Sequence, residues 1–234
     1  MKHVVCWGLW NRVTKVVPIL DSIEKYIPKD VEVWFIFDNC VDGSDVILNT
    51  HKEKLYGRRV FTMSTSWEIK EVGMHKLALE FAVLRGDIDV LTILQDDQSL
   101  TGPIVEPVNK LFETEKNIGV VGGRSGYDAL DYVKARCAPW SPGAALPGNI
   151  KLKPGEWAKC ILLNSGPVTY SIPAVKVVGY PDTEYVRVYI WDDYGVRCKE
   201  AGFQNYVIGT EVCHSVPDSG ASKTYGKPGV VAHD

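Results

Sequence analysis

Long apolar runs are missing from this 234-residue sequence. No stretch approaches the roughly 18 residues that a membrane-spanning helix requires, so no transmembrane segment is expected. A basic tract is missing as well. The 26 basic and 29 acidic residues leave a formal charge of −3, which argues against nucleic acid as a partner. Six cysteines are present (Cys6, Cys40, Cys137, Cys160, Cys198 and Cys213), yet none forms a CxxC pair. The expectation is reduced core cysteines in a cytoplasmic protein, not structural zinc. Residues 1–13 lack the long apolar core and small-residue cleavage site of a signal peptide. Work at a membrane surface stays open. Internal repeats are absent. So is a glycine-rich phosphate loop after the first expected strand, where Gly8 stands alone; this disfavours a nucleotidyltransferase.

What is there is a globular composition, 45% hydrophobic and 24% charged. The length suits one domain, able to bury about 70–75% of its unfolded surface. The first half alternates apolar runs with helix-period segments. Strands are expected at His3–Leu9, Val31–Phe37, Arg59–Met63, Asp89–Leu94 and Ile118–Val121. Val16, Leu20, Ile23 and Ile27 mark one helix, with Pro18 in its first turn. Met74, Leu77, Ala78, Phe81 and Ala82 mark another, closed by Gly86. Thr101-Gly102-Pro103 opens a third with proline at its first position. This alternation predicts an α/β fold, a Rossmann-like, open, mostly parallel twisted sheet flanked by helices. Residues 124–158 are rich in glycine and proline and read as an insertion. After them, strands are expected at Cys160–Leu163, Val168–Ile172 and Asn205–Cys213, and a helix from Trp191 to Gly202. A glycine-rich tail ends the chain.

Ligands of such sheets bind beyond the carboxyl ends of the strands. Asp38 and Asp42 follow the second expected strand, and Asp96 and Asp97 the fourth. Adjacent strand ends would put both groups on one rim, where a divalent metal or the hydroxyls of a ribose would offset their repulsion. The structural alternative is Asx turns and helix caps. Asp192 and Asp193 start a helix, where acids suit the dipole. Beside Trp191 either could instead act as a general base. His214 ends an apolar strand, either as a structural histidine or as a ligand. With carboxylate and phosphate oxygens it would suit manganese or magnesium.

These residues, in this order, resemble the family 2 glycosyltransferases of the GT-A fold. Trp10-Asn11-Arg12 with Leu20-Asp21-Ser22-Ile23 resembles the family's first strand-to-helix segment. Asp38-Asn39-Cys40-Val41-Asp42-Gly43-Ser44 is similar to its second-strand motif, departing at Val41, where serine is usual. Gln95-Asp96-Asp97 resembles the DxD motif with glutamine for its first aspartate. Val178-Gly179-Tyr180-Pro181-Asp182 and the run from Trp191-Asp192-Asp193 through Arg197 to Phe203 resemble the acceptor-side segments. Val212-Cys213-His214 resembles the last strand and its metal-binding histidine.

The resemblance implies a single GT-A domain with a smaller acceptor-side sheet or insert. Its nucleotide-sugar half is 1–123, its acceptor and catalytic half 124–214, and its flexible tail 215–234. It implies an inverting transfer of a sugar from a nucleotide-diphosphate donor such as a UDP-sugar to a hydroxyl acceptor, a glycan among them, in glycan biosynthesis. Trp10, Asn11, Asp38, Asp42, Gln95 and Asp96 would bind the donor. Asp97 and His214 would hold Mn²⁺ or Mg²⁺. Asp193, or Asp192, would be the base. The competing expectation is an inactive GT-A-like protein that binds a glycan or nucleotide; Gln95 and Val41 are its support.

Overall fold

The computed structural model describes residues 1–124, 152–160, 163, 167–185 and 190–214, with Arg124, Cys213 and His214 described by their backbone. The tail 215–234 and most of the 124–158 insertion lie outside the described residues, as does Cys137.

Three strands form the centre: β1 (His3–Leu9), β2 (Glu32–Phe37) and β4 (Val90–Leu94). Every residue in them is buried. Near-continuous apolar runs of this kind fit strands covered on both faces. Strand β3 (Val60–Ser64) forms one edge, and only Phe61 and Met63 turn inward. The remaining strands are β5 (Gln98–Leu100), β6 (Ile118–Arg124), β7 (Trp157–Cys160), β8 (Val168–Ser171), β9 (Gln204–Gly209) and β10 (Val212–His214). Among the described residues the main sheet has eight strands in the order β3-β2-β1-β4-β8-β6-β9-β7. It is parallel through β3-β2-β1-β4 and again at β6-β9; β8 and β7 run antiparallel to their neighbours. Strands β5 and β10 form a separate antiparallel pair.

Among the described residues six α-helices pack around this frame: α1 (Val13–Tyr26), α2 (Ser44–Thr50), α3 (Lys70–Arg85), α4 (Val105–Thr114), α5 (Ile172–Val178) and α6 (Ile190–Glu200). Alternate strand residues face opposite layers. Val5, Trp7, Val33 and Phe35 pack with Ile19, Leu20 and Leu111 of α1 and α4. Cys6, Trp34, Ile36 and Ile93 pack with Ala78, Leu79 and Tyr194 of α3 and α6. Cys6, Cys160 and Cys198 are buried, as expected, and Cys40 is half-buried. Helix α3 passes so close to β1 that a Cβ at Gly8 would lie 2.9 Å from Met74 Sδ. Gly86 ends α3 in the left-handed conformation (φ 73°) that glycine adopts without strain, its N–H donating to Ala82 O.

Several sequence expectations need correction. Pro18 lies inside α1, not in its first turn. It brings no N–H to the Thr14 carbonyl, and burial of Val16, Ile19, Leu20 and Ile23 carries the helix through it. Helix α4 begins after Pro103, at Val105. The expected strand Asn205–Cys213 is two strands in different sheets, because the chain turns at Thr210 and Glu211 to pair with β5. Strand β7 begins within the expected insertion, and the 172–178 helix had no clear period in so short a segment. The ends of β2 and β4 are not adjacent, since β1 runs between them. They still open on the same rim.

Candidate functional site

The rim is built by three loops fastened to one another. Asp38 closes β2 and is fully buried. Its Oδ1 accepts from Ile69 N–H (2.8 Å) and the Thr65 hydroxyl (3.0 Å), and its Oδ2 from Lys70 N–H (2.8 Å). It therefore caps α3 from another strand's end. Asn11 takes left-handed backbone (φ 50°), which asparagine tolerates better than most residues. Its Oδ1 accepts Val41 N–H at 2.9 Å, tying the loop after β1 to the loop after β2. Asp42 accepts from the Ser44 hydroxyl (2.6 Å), Ser44 N–H (3.0 Å) and Val13 N–H (2.7 Å), so it caps α1. Burial pushes the Asp42 carboxyl up, but these hydrogen bonds outweigh it and hold its pKa below the ordinary value. Trp10 stands at the rim, 37% exposed.

The third loop follows β4. Asp96 Oδ2 receives Arg12 Nε at 3.0 Å. Burial raises the Asp96 pKa; the Arg12 charge opposes this, and the neighbouring Asp97 adds to the rise. Gln95 Nε2 donates to Glu71 of α3. Gln95 N–H donates to Gln98 Oε1 at 2.9 Å. Gln98 is fully buried, and its carbonyl accepts the Trp7 indole N–H at 3.0 Å. Backbone pairing sets His214 opposite Gln98, the residue after Asp97. Among the described residues, no three His, Cys, Asp or Glu side chains gather as a metal group; the His214 side chain lies outside them.

The second acidic pair sits in the first turn of α6. Asp193 Oδ2 accepts Arg197 Nε at 2.8 Å, one helical turn on. The same guanidinium donates to the carbonyls of Val178 (3.3 Å) and Tyr180 (3.0 Å) and lies over the Tyr194 ring. Trp191 is buried with its ring centroid 4.5 Å from that of His75. His75 Nδ1 lies 3.0 Å from the Tyr170 hydroxyl. Burial drives the His75 pKa down to about 3, so the ring is neutral and the hydrogen bond is between neutral partners. Glu71, which Gln95 meets, and His75, which meets Trp191, lie one turn apart on α3.

The fold gathers Trp10, Asn11, Asp38, Asp42, Gln95 and Asp96 at one rim, with Asp97 in the same loop. It brings the 192–193 pair to α3 through Trp191. Glu71, His75 and Gln98 were not singled out from sequence. An acid in a helix's first turn reads as a dipole complement, and neither His75 nor Gln98 stands in a motif. The roles of Glu71 and His75 come from where α3 is packed, and that of Gln98 from its bonds to Trp7 and Gln95.

No protein-family model matches the chain, and no curated protein matches it. Solved structures do. The mannosyltransferase PcManGT from Pyrobaculum calidifontis, in complex with GDP-Man and Mn²⁺, superposes with TM-score 0.65 and 15% identity over 94% of this chain and 58% of its own. GalNAc-T7 with UDP, GalNAc and Mn²⁺ gives TM-score 0.66 and 10% identity, covering 92% of this chain and 44% of its own. S. aureus TarS 1-349 in complex with UDP-GlcNAc gives 0.61 and 16%, covering 90% and 56%. The chain spans about half the length of these proteins. At these identities the likeness is one of architecture: the chain has the fold of the GT-A glycosyltransferases.

Proposed function

We propose that the protein is a metal-dependent, inverting glycosyltransferase of the family 2 kind, moving a sugar from a nucleotide-diphosphate donor to a hydroxyl acceptor. The observation that carries this reading is the pairing of β10 with β5, which sets the backbone of residue 214 opposite Gln98, at the end of the Gln95-Asp96-Asp97 loop. Carboxylate and imidazole, completed by phosphate oxygens, suit Mn²⁺ or Mg²⁺. Asp97 and His214 would hold the ion, which as a Lewis acid offsets charge on the departing diphosphate.

The chain's own groups do the rest. Trp10, Asn11, Asp38 and Asp42 shape the wall for the nucleotide, Asp38 and Asp42 by fixing the loops that carry it. Gln95 and Asp96 face the ribose and sugar side. Asp193, with Asp192 as the alternative, takes the acceptor's hydroxyl proton. The acceptor oxygen then forms a bond to the anomeric carbon as the bond to the diphosphate breaks.

The test is thermal stability with UDP-glucose, UDP-GlcNAc and GDP-mannose, with and without Mn²⁺. A true donor at a hundredfold excess over Kd stabilises by about 2.7 kcal/mol. Asp97→Ala should lose the Mn²⁺-dependent part of that shift. Asp193→Asn should keep it while transfer falls by about 100-fold or more. A donor shift indifferent to both Mn²⁺ and Asp97→Ala sinks the metal assignment. A second reading, a GT-A-like nucleotide- or glycan-binding protein without turnover, draws on the ion pairs Arg12–Asp96 and Arg197–Asp193, which engage two of the candidate carboxylates. Donor binding with neither hydrolysis nor transfer would favour it.

A further inference from the structure

We infer that Glu71 belongs to the donor site, where its carboxylate accepts hydrogen bonds from hydroxyls of the transferred sugar and Gln95 orients it. The inference deepens the glycosyltransferase reading and rests on it.

Glu71 is half-buried in the first turn of α3. The helix dipole favours an acid there even when it points to solvent. Instead the side chain reaches the loop after β4, where Gln95 Nε2 donates to it. The Gln95 amide is fixed from behind: its Oε1 accepts Gln98 Nε2 at 3.5 Å, and Gln98 is itself buried. The amide therefore has its NH₂ end toward Glu71. An aspartate at position 95 would set two carboxylates against each other, at the cost of raising one pKa. Glutamine removes that conflict. The negative charge that the loop lacks at position 95 is supplied from the helix at position 71.

The charge of Glu71 is among the influences on the Tyr170 phenol, after burial and Tyr194. One turn along α3, His75 contacts both the Tyr170 hydroxyl and the Trp191 ring. Glu71 thus touches the 95–97 loop, and His75, one turn on from it, packs against the helix that bears Asp192 and Asp193. In a single displacement the sugar ring must occupy the space between the diphosphate and the base. A carboxylate in that position meets sugar hydroxyls and makes charge-assisted hydrogen bonds to them.

The experiment is calorimetric titration of wild type, Glu71→Gln and Glu71→Ala in Mn²⁺ with UDP, GDP, UDP-glucose, UDP-GlcNAc and GDP-mannose. For the nucleotide sugar that wild type binds tightest, both variants should lose about 10- to 100-fold in affinity. UDP and GDP should bind all three proteins within about twofold. The charge-swapped double variant Glu71→Gln, Gln95→Glu should recover part of the loss and serves if the single variants fold poorly. Equal losses for sugar-bearing and sugar-free nucleotides, or no loss for either, overturn the assignment. Wild type that binds none of the five overturns the donor reading itself, a different failure from the first two.

Discussion

The two acidic pairs of the molecule are built on different principles. Asp96 finds its partner in Arg12, 84 residues away, across the top of β1. Its neighbour Gln95 reaches Glu71, 24 residues away on α3. Asp193 finds its partner four residues on, in its own helix. The first arrangement exists only when the sheet and α3 are assembled. The second comes with α6 and is carried into place as a unit, with Trp191 docking against His75. The difference teaches where each half is vulnerable: the donor side in its long-range ties, the base side in the docking of one helix.

The strongest blow to the donor side is Asp38→Ala. It removes a fully buried carboxylate and leaves the part-buried Ile69 N–H, Lys70 N–H and Thr65 hydroxyl without their acceptor. The expected loss is about 3–5 kcal/mol by urea denaturation. A loss under about 1 kcal/mol would mean that water takes over the carboxylate's role and that the loop ties are weak.

Mild acid attacks the docking of α6. Burial holds the His75 pKa at about 3, against about 6.5 in an unfolded chain. Between those values the unfolded state binds a proton that the native state does not, so stability falls as pH is lowered through that window. At full linkage the slope is about 1.4 kcal/mol per pH unit, and the loss from pH 6.5 to 5 is about 1.6 kcal/mol because the slope is half-developed at pH 6.5. His3, held at about 4 by burial despite its Asn109 hydrogen bond, adds to the loss in the same direction. His75→Phe should flatten the slope without abolishing it. An unchanged slope would place the sensitivity elsewhere.

The same contrast explains what could be read in the sequence. The near-continuous apolar runs of β1, β2 and β4 announced central parallel strands, and the glycine at 86 announced the end of α3, because both are local consequences of composition and backbone. The acidic groups at 38, 42, 96 and 97 were visible for the same reason: they follow apolar strands. What they hold was not visible. Asp38 caps a helix some thirty residues on, and Gln95 pairs with a glutamate whose place depends on α3 crossing Gly8. Strand β5 escaped notice because three residues carry no period, and its partner β10 merged with β9 into one apolar run. The order β4-β8-β6 depends on antiparallel insertion of β8, and nothing in a short apolar segment states its direction.

Arg12→Ala probes the long-range ion pair. The partners' side chains are 17% and 20% exposed, so solvent screens part of the interaction. The expected loss is about 1–2 kcal/mol at pH 7. It should shrink as the pH is lowered, because burial raises the Asp96 pKa and the carboxylate protonates earlier than an ordinary aspartate. A loss that does not depend on pH would assign Arg12 a packing role in place of an electrostatic one.

Arg197→Ala is the smallest expected effect and the sharpest test of locality. Arg197 and Asp193 are 30% and 27% exposed, and an ion pair one turn apart on a helix contributes about 0.3–0.5 kcal/mol. Losing the donors to the Val178 and Tyr180 carbonyls brings the total to about 1 kcal/mol, since water can reach a half-buried turn. High salt should remove the ion-pair share and leave the carbonyl share, and Arg197→Lys should keep the first while losing much of the second. On the glycosyltransferase reading, the variant should lower the rate of transfer with donor affinity unchanged, because the contacts broken all lie on α6 and the turn beneath it. If donor affinity falls as far as it does in Arg12→Ala, the 192–193 pair is not a self-contained unit. The path through Trp191, His75 and Glu71 would then join the two halves into one electrostatic site.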